Sequence, residues 1–375
     1  MIPVFRPWLT LGNIFDTNKA LFQKQISGTS SFVQKFETEF SQMHENINST
    51  AVTNGSVALD IVLQSLNLKK GDEVIMPSLT IISCLAAVAR TEAKPVFCDI
   101  DDSSWNMKLD NIKDVITENT KAIIAVHTYG LPCEIVEISD FCENEGILLI
   151  EDASEAHGIE VNGKLCGTYG DFSTFSFYAN KHITAGEGGM ILSKSKKSHR
   201  KIQQMRNLDF KSEPRFKHEN FYWNSRLGGL QAALGYSQIK RQTFRKVIRK
   251  KQIQAKYYDA LLNKYNYLFN LPVKNLRGVS NNYWVYGLVL KHNDIRDQLL
   301  KRMLSDGIQC RPFFWPLHKQ PAYLKNYESS VTFENAEKTG FNGFYLPLGS
   351  HITKKKQRLI VRHLINNTEE LINSE

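Results

Sequence analysis

Apolar and polar positions follow two rhythms along this chain. In "SSFVQKFETEFSQMH", Phe32, Val33, Phe36 and Phe40 recur at helical spacing behind a serine cap, which predicts an amphipathic helix. "SVALDIVLQSLNL", after the turn "TNG", predicts a second. Short apolar runs follow: "DEVIMP", "KPVFCDI", "KAIIAVHTYG" and "GILLIEDAS" read as strands, with the helical patterns "LDNIKDVITEN" and "EIVEISDFCENEG" between them. That alternation predicts parallel βαβ units around a buried sheet. From Asp171 to Ser193 the strands read shorter, so the sheet is expected to be mixed. "LGGLQAALGYSQIKRQTFRKVIRKKQIQAKYYDALLNKY" predicts long helical structure, and after Tyr265 the pattern restarts. "YWVYGLVLKH" reads as a strand, "IRDQLLKRMLSDG" as a helix, and a last helix begins at Lys354. The expected fold class is α/β, with a mostly parallel central sheet in a large domain over 1–245 and a smaller α+β domain over 246–375.

Composition narrows this only a little. Of the 375 residues 42% are hydrophobic, enough for a substantial core, and no apolar stretch is long enough to span a membrane. "MIPVFRPWLT" lacks a basic region followed by an apolar one, so no secretory signal is expected. Six cysteines without a CxxC read as reduced thiols in a cytoplasmic protein, and their spacing does not suggest zinc or another metal. The net charge is +9, but the basic residues form short clusters ("KSKKSHRK", "KKKQR") and no stripe interleaved with aromatics. Solvated surface is the better reading than nucleic-acid binding, and a basic surface suits collection of an anionic small substrate.

In open parallel sheets, ligands bind at the carboxyl ends of the strands. The residues just after the apolar runs are therefore candidates: Asn54–Gly55–Ser56, Pro77 to Thr80, His127–Thr128–Tyr129, Asp152 to Glu155, and Lys181. Asp152 alone would serve as a helix cap or a metal ligand. With Lys181 it suggests a cofactor that needs both an amine to condense with its aldehyde and a carboxylate to hold its ring proton, and that is pyridoxal phosphate. The cofactor's phosphate needs a helix N-terminus, which "NGS" before "VALDIVLQSL" would supply, and Ser176 could add a hydroxyl.

The chain resembles the DegT/DnrJ/EryC1/StrS family of sugar-nucleotide aminotransferases, of the aspartate-aminotransferase (type I) fold, over nearly its whole length. The resemblance rests on "TNGSVALDIVLQSL", "GDEVIMPSLT", "EDASEAHG", "NSRLGGLQAALGYSQI" and "RPFFWPLH". "TFSFYANKHITAGEGGM", "YWVYGL" and "WNM" are similar to members that aminate the C4 keto carbon of a 6-deoxyhexose, the GDP-perosamine synthase branch among them. Related 3-dehydratases carry histidine where this chain has Lys181, so the resemblance implies transamination, with pyridoxamine phosphate as the intermediate form of the cofactor.

By the same resemblance, Asp152 holds the pyridinium nitrogen and Glu155 lies near the ring hydroxyl. Gly55, Ser56 and Ser176 bind the phosphate. Asn224 and Arg226 reach the site from the other subunit of a homodimer, Asn224 on the phosphate. His318 is a candidate contact to the sugar nucleotide. L-Glutamate is the implied amino donor, a GDP- or dTDP-linked 4-keto-6-deoxyhexose the acceptor, and O-antigen or another glycan the destination. A dTDP-4-keto-6-deoxyglucose 4-aminotransferase of the viosamine type is the alternative. A 3-dehydratase and a non-catalytic binding protein are less favoured, since Lys181 opposes both and Asp152 the second. Two positions depart from the family pattern: Ile81 stands where an aromatic stacks on the cofactor ring, and Gln25 where a tryptophan is usual.

Overall fold

The computed structural model describes residues 1–210, 213–327 and 331–374. Seven strands form the main sheet: β1 (Asn48–Val52), β2 (Glu73–Pro77), β3 (Lys94–Cys98), β4 (Thr120–Val126), β5 (Leu148–Asp152), β6 (Phe172–Ser176) and β7 (Gly189–Ser193). Their order is β1-β7-β6-β5-β4-β2-β3. From β6 to β3 every pairing is parallel, whereas β7 is antiparallel to both of its neighbours. The sheet is thus mixed in the region where the strands read shorter.

Alternation along each strand feeds two cores. Val74, Met76, Ala122, Ile124 and Ile150 face Ala58, Leu59 and Val62 of the helix Gly55–Ser65 and Leu85 and Val88 of the helix Ile82–Ala89. Their neighbours Ile75, Ile123, Ala125 and Leu149 face Ile135, Ile138 and Cys142 of the helix Ile135–Glu145. That both faces are covered explains why these strands read as continuous apolar runs.

A second antiparallel sheet, Phe269–Asn270, Tyr286–Leu290, Gly343–Leu346 and Arg311–Pro312 in that order, packs its core with the helices Arg296–Ser305 and Lys354–Ile372. The helix Thr243–Leu262 joins the two parts without a break at position 245. Its Phe244 and Ile248 pack with the large sheet, and its Ala255, Tyr258 and Leu262 with the small one.

Some elements differ from the sequence reading. The long helical stretch is two helices, Gly229–Lys240 and Thr243–Leu262, separated at Gln242, whose φ is 53°. Arg241 at the break is tied to Asp16 at 2.6 Å, a tertiary contact that carries no local signal. "LDNIKDVITEN" yields only the short helix Leu109–Lys113. Several elements have no pattern marked in the sequence, among them the strand Asn48–Val52 and the helices Leu11–Phe22, Ile82–Ala89 and Lys196–Arg206. The helix Leu11–Phe22 exposes Leu11, Phe15 and Phe22 and buries only Asn13 and Ala20, so it has no core stripe to read. No helix among the described residues is long and apolar enough to cross a membrane. All six cysteines are free.

Candidate active site

A cavity of about 610 Å³ opens at the carboxyl ends of the parallel strands and is closed on its far side by the small sheet. Asp152 ends β5 and is almost fully buried. Its carboxylate accepts from the backbone N–H of Ser154 at 3.1 Å and lies 3.6 Å from the Cys84 sulfur. Lys181 lies in the loop between β6 and β7, its amine 3.2 Å from Glu155 Oε1 and 3.9 Å above the centroid of the Trp284 ring. The other Glu155 oxygen accepts from the Tyr129 backbone N–H at 2.8 Å. Burial pushes the Glu155 carboxyl above the usual range, although Lys181 and the Tyr129 N–H oppose the shift.

The helix Gly55–Ser65 points its N-terminus into the same cavity. The Asn54 side chain caps it by accepting from Val57 N at 2.9 Å. By helix geometry the first N–H groups have no intrahelical partner, so those of Gly55 and Ser56 remain free to meet an anion. A Cβ on Gly55 would lie 2.9 Å from the Ser176 Cβ, so no side chain fits between helix and strand. Ser56 and Ser83 share a 2.6 Å hydrogen bond between hydroxyls, and Ser176 lines the cavity beside them.

Phosphate cradle, buried carboxylate and amine therefore converge as pyridoxal phosphate requires, and Ile81 and Val126 add apolar wall for its ring. Few chemistries ask for all three, and the class they define is the pyridoxal-phosphate-dependent enzymes. Residues 13–365 match the DegT/DnrJ/EryC1/StrS aminotransferase family, and the chain belongs to it. It is 34% identical to the GDP-perosamine synthase of Escherichia coli O157:H7 over 92% of this chain and 93% of that one. It is 32% identical to the dTDP-4-dehydro-2,3,6-trideoxy-D-glucose 4-aminotransferase of Saccharopolyspora spinosa, over 86% of each chain. Among solved structures, the aminotransferase TlmJ of Streptoalloteichus hindustanus superposes with a TM-score of 0.92 at 24% identity, over 99% of this chain and all of that one.

The other candidates are placed less centrally. Thr80 and Ile81 line the cavity. His127 lies behind it, fully buried and 2.8 Å from Glu151. His127, Glu151 and Cys166 bring ligand-type atoms within 4.8 Å of one another. Yet the Glu151 oxygens already accept from His127 and from the backbone N–H groups of Gly167, Tyr169 and Gly170. Burial pushes that carboxyl up, but those donors outweigh it and hold it low. This trio reads as a buried structural ion pair that ties β5 to the loop before β6. Tyr129, with a φ of 60°, is buried too, and its hydroxyl accepts from Phe314 N at 2.8 Å. Gln25 caps the turn at Ser31 and is absent from the cavity wall.

Asn224 and Arg226 do not line this chain's cavity. Asn224 is exposed, and Arg226 donates to Asn207 at 2.7 Å. His318 is buried away from the cavity, its Nε2 2.9 Å from Glu337.

Residues with no chemistry evident from the sequence alone complete the wall. Trp284, Arg311, Phe314 and Tyr345 come from the smaller part of the chain, and Tyr178, Asn180 and Glu187 from the loop around Lys181. "YWVYGL" and "RPFFWPLH" already held three of them, but only the packing of the small sheet on the large one shows that they face Lys181.

Proposed function

We propose that this protein transfers the amino group of L-glutamate to the C4 keto carbon of a nucleotide-linked 4-keto-6-deoxyhexose, GDP-linked as in its perosamine-synthase relatives. The observation that carries the reading is the Lys181 amine, half-buried beside Glu155 and facing a cavity that Asp152 and the Gly55 helix also line. Bound pyridoxal phosphate supplies an electron sink for the carbon that loses its proton. Lys181 Nζ takes that proton from the donor Cα as 2-oxoglutarate forms, and returns one to C4 of the sugar in the second half-reaction. Asp152 holds a proton on the ring nitrogen by its charge. Gly55, Ser56 and Ser176 bind the phosphate, and Asn224 of the neighbouring subunit joins them. Glu155 orients both the ring hydroxyl and Lys181.

Arg311 lines the cavity, and among the described residues no carboxylate pairs with it. We assign it to an anionic group of the substrates. Trp284, Phe314 and Tyr345 exclude water from the reacting atoms.

The active unit in this reading is a homodimer, with Asn224 and Arg226 completing the opposite site. Phe221 and Trp223 beside them are exposed, as the core of an interface would be in a lone chain. Mixing inactive Lys181→Ala and Arg226→Ala chains should restore about a quarter of parental activity, since half the dimers carry one intact site. No recovery in proven mixed dimers would place Arg226 outside the partner's site. His318 is kept as a contact to the sugar nucleotide only if substrate binding turns it from Glu337. The setting is cytoplasmic, and the product serves glycan assembly such as O-antigen. We divide the chain into its two domains at position 245.

The deciding assay offers GDP-4-keto-6-deoxymannose and dTDP-4-keto-6-deoxyglucose with glutamate. A 4-amino product from the GDP sugar is expected. Preference for the dTDP sugar would make the enzyme of the viosamine type, and loss of a hydroxyl without amination would make it a 3-dehydratase.

A further inference from the structure

Behind the half-buried Lys181 lies a buried lysine with no part in the proton transfers assigned to Lys181. Lys251, on the helix Thr243–Leu262, is 7% exposed, and its amine donates to the backbone carbonyl of Trp284 at 2.9 Å. The ring of that same tryptophan carries the Lys181 amine at 3.9 Å from its centroid. Lys251 and Lys181 also line one small cavity of about 20 Å³ with Asn180 and His182. A space of that size admits a single water at most, and Arg6 also lines it. Asn180 Oδ1 and His182 Nε2 are buried there without protein partners. No carboxylate is paired with Lys251 among the described residues, which is rare for a buried lysine. The titratable groups that act on it are Lys181 and Glu155, and those it acts on are His157 and His182.

We propose that Lys251 is a positioning residue of the transamination: through its bond to the Trp284 carbonyl it fixes that ring against Lys181, and its charge acts on the cofactor held there. Burial, reinforced by the neighbouring Lys181, brings the Lys251 amine down to about 7, while Glu155 pulls the other way. Lys251 therefore changes charge near neutral pH, beside the ring that faces Lys181.

The inference rests on Lys181 being the reacting amine, which the loss of cofactor attachment in Lys181→Ala tests separately. Its own test uses the cofactor-loaded enzyme and two readouts: the absorbance of the bound cofactor and kcat, each followed from pH 5.5 to 9. The parent should show a step near pH 7 in both. Lys251→Met should lose the step and hold the alkaline value throughout. Lys251→Arg, charged at every pH, should lose it and hold the acid value. A purely structural lysine would lower thermal stability and KM or kcat at every pH without touching the step. A parent profile flat between pH 6 and 8 overturns the proposal without any variant. So does a step that survives in whichever variant folds, or Met and Arg variants with the same absorbance.

Discussion

The two walls of the cavity are held by different means. On the cofactor side, Gly55, Ser56, Asp152, Ser176 and Lys181 stand at strand ends, at a helix start or in a strand-to-strand loop, and the backbone places them. Sheet register sets Asp152 level with Thr174, the Asn54 cap sets the first turn of the Gly55 helix, and Gly55 admits no side chain. Opposite, Trp284, Phe314 and Tyr345 are held by ring packing: Tyr129 lies parallel to Trp284 within 2° at 6.1 Å and to Phe314 within 15° at 5.2 Å. The first wall is rigid and chemical, and the second is aromatic and shaped by tertiary contact. A cofactor common to many reactions suits the first, and a particular sugar suits the second.

Substitutions should separate the two. The largest effect is expected from Asp152→Asn, which keeps the phosphate cradle and therefore the cofactor, but slows both half-reactions roughly a hundredfold or more by removing the charge at the ring nitrogen. Single-turnover rates with glutamate and with the keto sugar check this, and near-normal rates would reduce Asp152 to a structural carboxylate. Trp284→Ala belongs to the other wall. It removes the ring under Lys181 and part of the cavity wall proposed to face the sugar, and should cost on the order of tenfold in kcat/KM for the sugar. Cofactor affinity should change little, and a variant that loses cofactor instead would erase the division between walls. Ile81→Tyr should act least and in the opposite direction. A stacked ring adds about 0.5–1.5 kcal/mol, so the variant should hold cofactor a few-fold more tightly. Equilibrium dialysis measures this, and weaker retention would mean that Ile81 does not face the ring.

The same contrast explains what could be read from the chain alone. The strands β2 to β5 were legible because both their faces are buried, so that "DEVIMP" and "GILLIEDAS" announce themselves. Asp152 and Lys181 were legible because strand ends are where chemistry sits in such sheets. Trp284 and Arg311 lay in quoted motifs but could not be aimed, because their direction depends on how one sheet packs on another. Lys251 was invisible for the same reason: "VIRKKQIQAKY" reads as a basic solvated helix, and only the packed Trp284 carbonyl singles one of its lysines out. The break at Gln242 needed the Asp16–Arg241 pair, which joins residues 225 apart in sequence.

The central claim is that Lys181 is the amine on which the cofactor is carried. Borohydride reduction of the cofactor-loaded protein, followed by peptide mass mapping, tests it most directly. Reduction should fix the pyridoxyl group on Lys181 alone, and Lys181→Ala should yield no labelled peptide. A label on Lys251, or on any other lysine, would contradict the account.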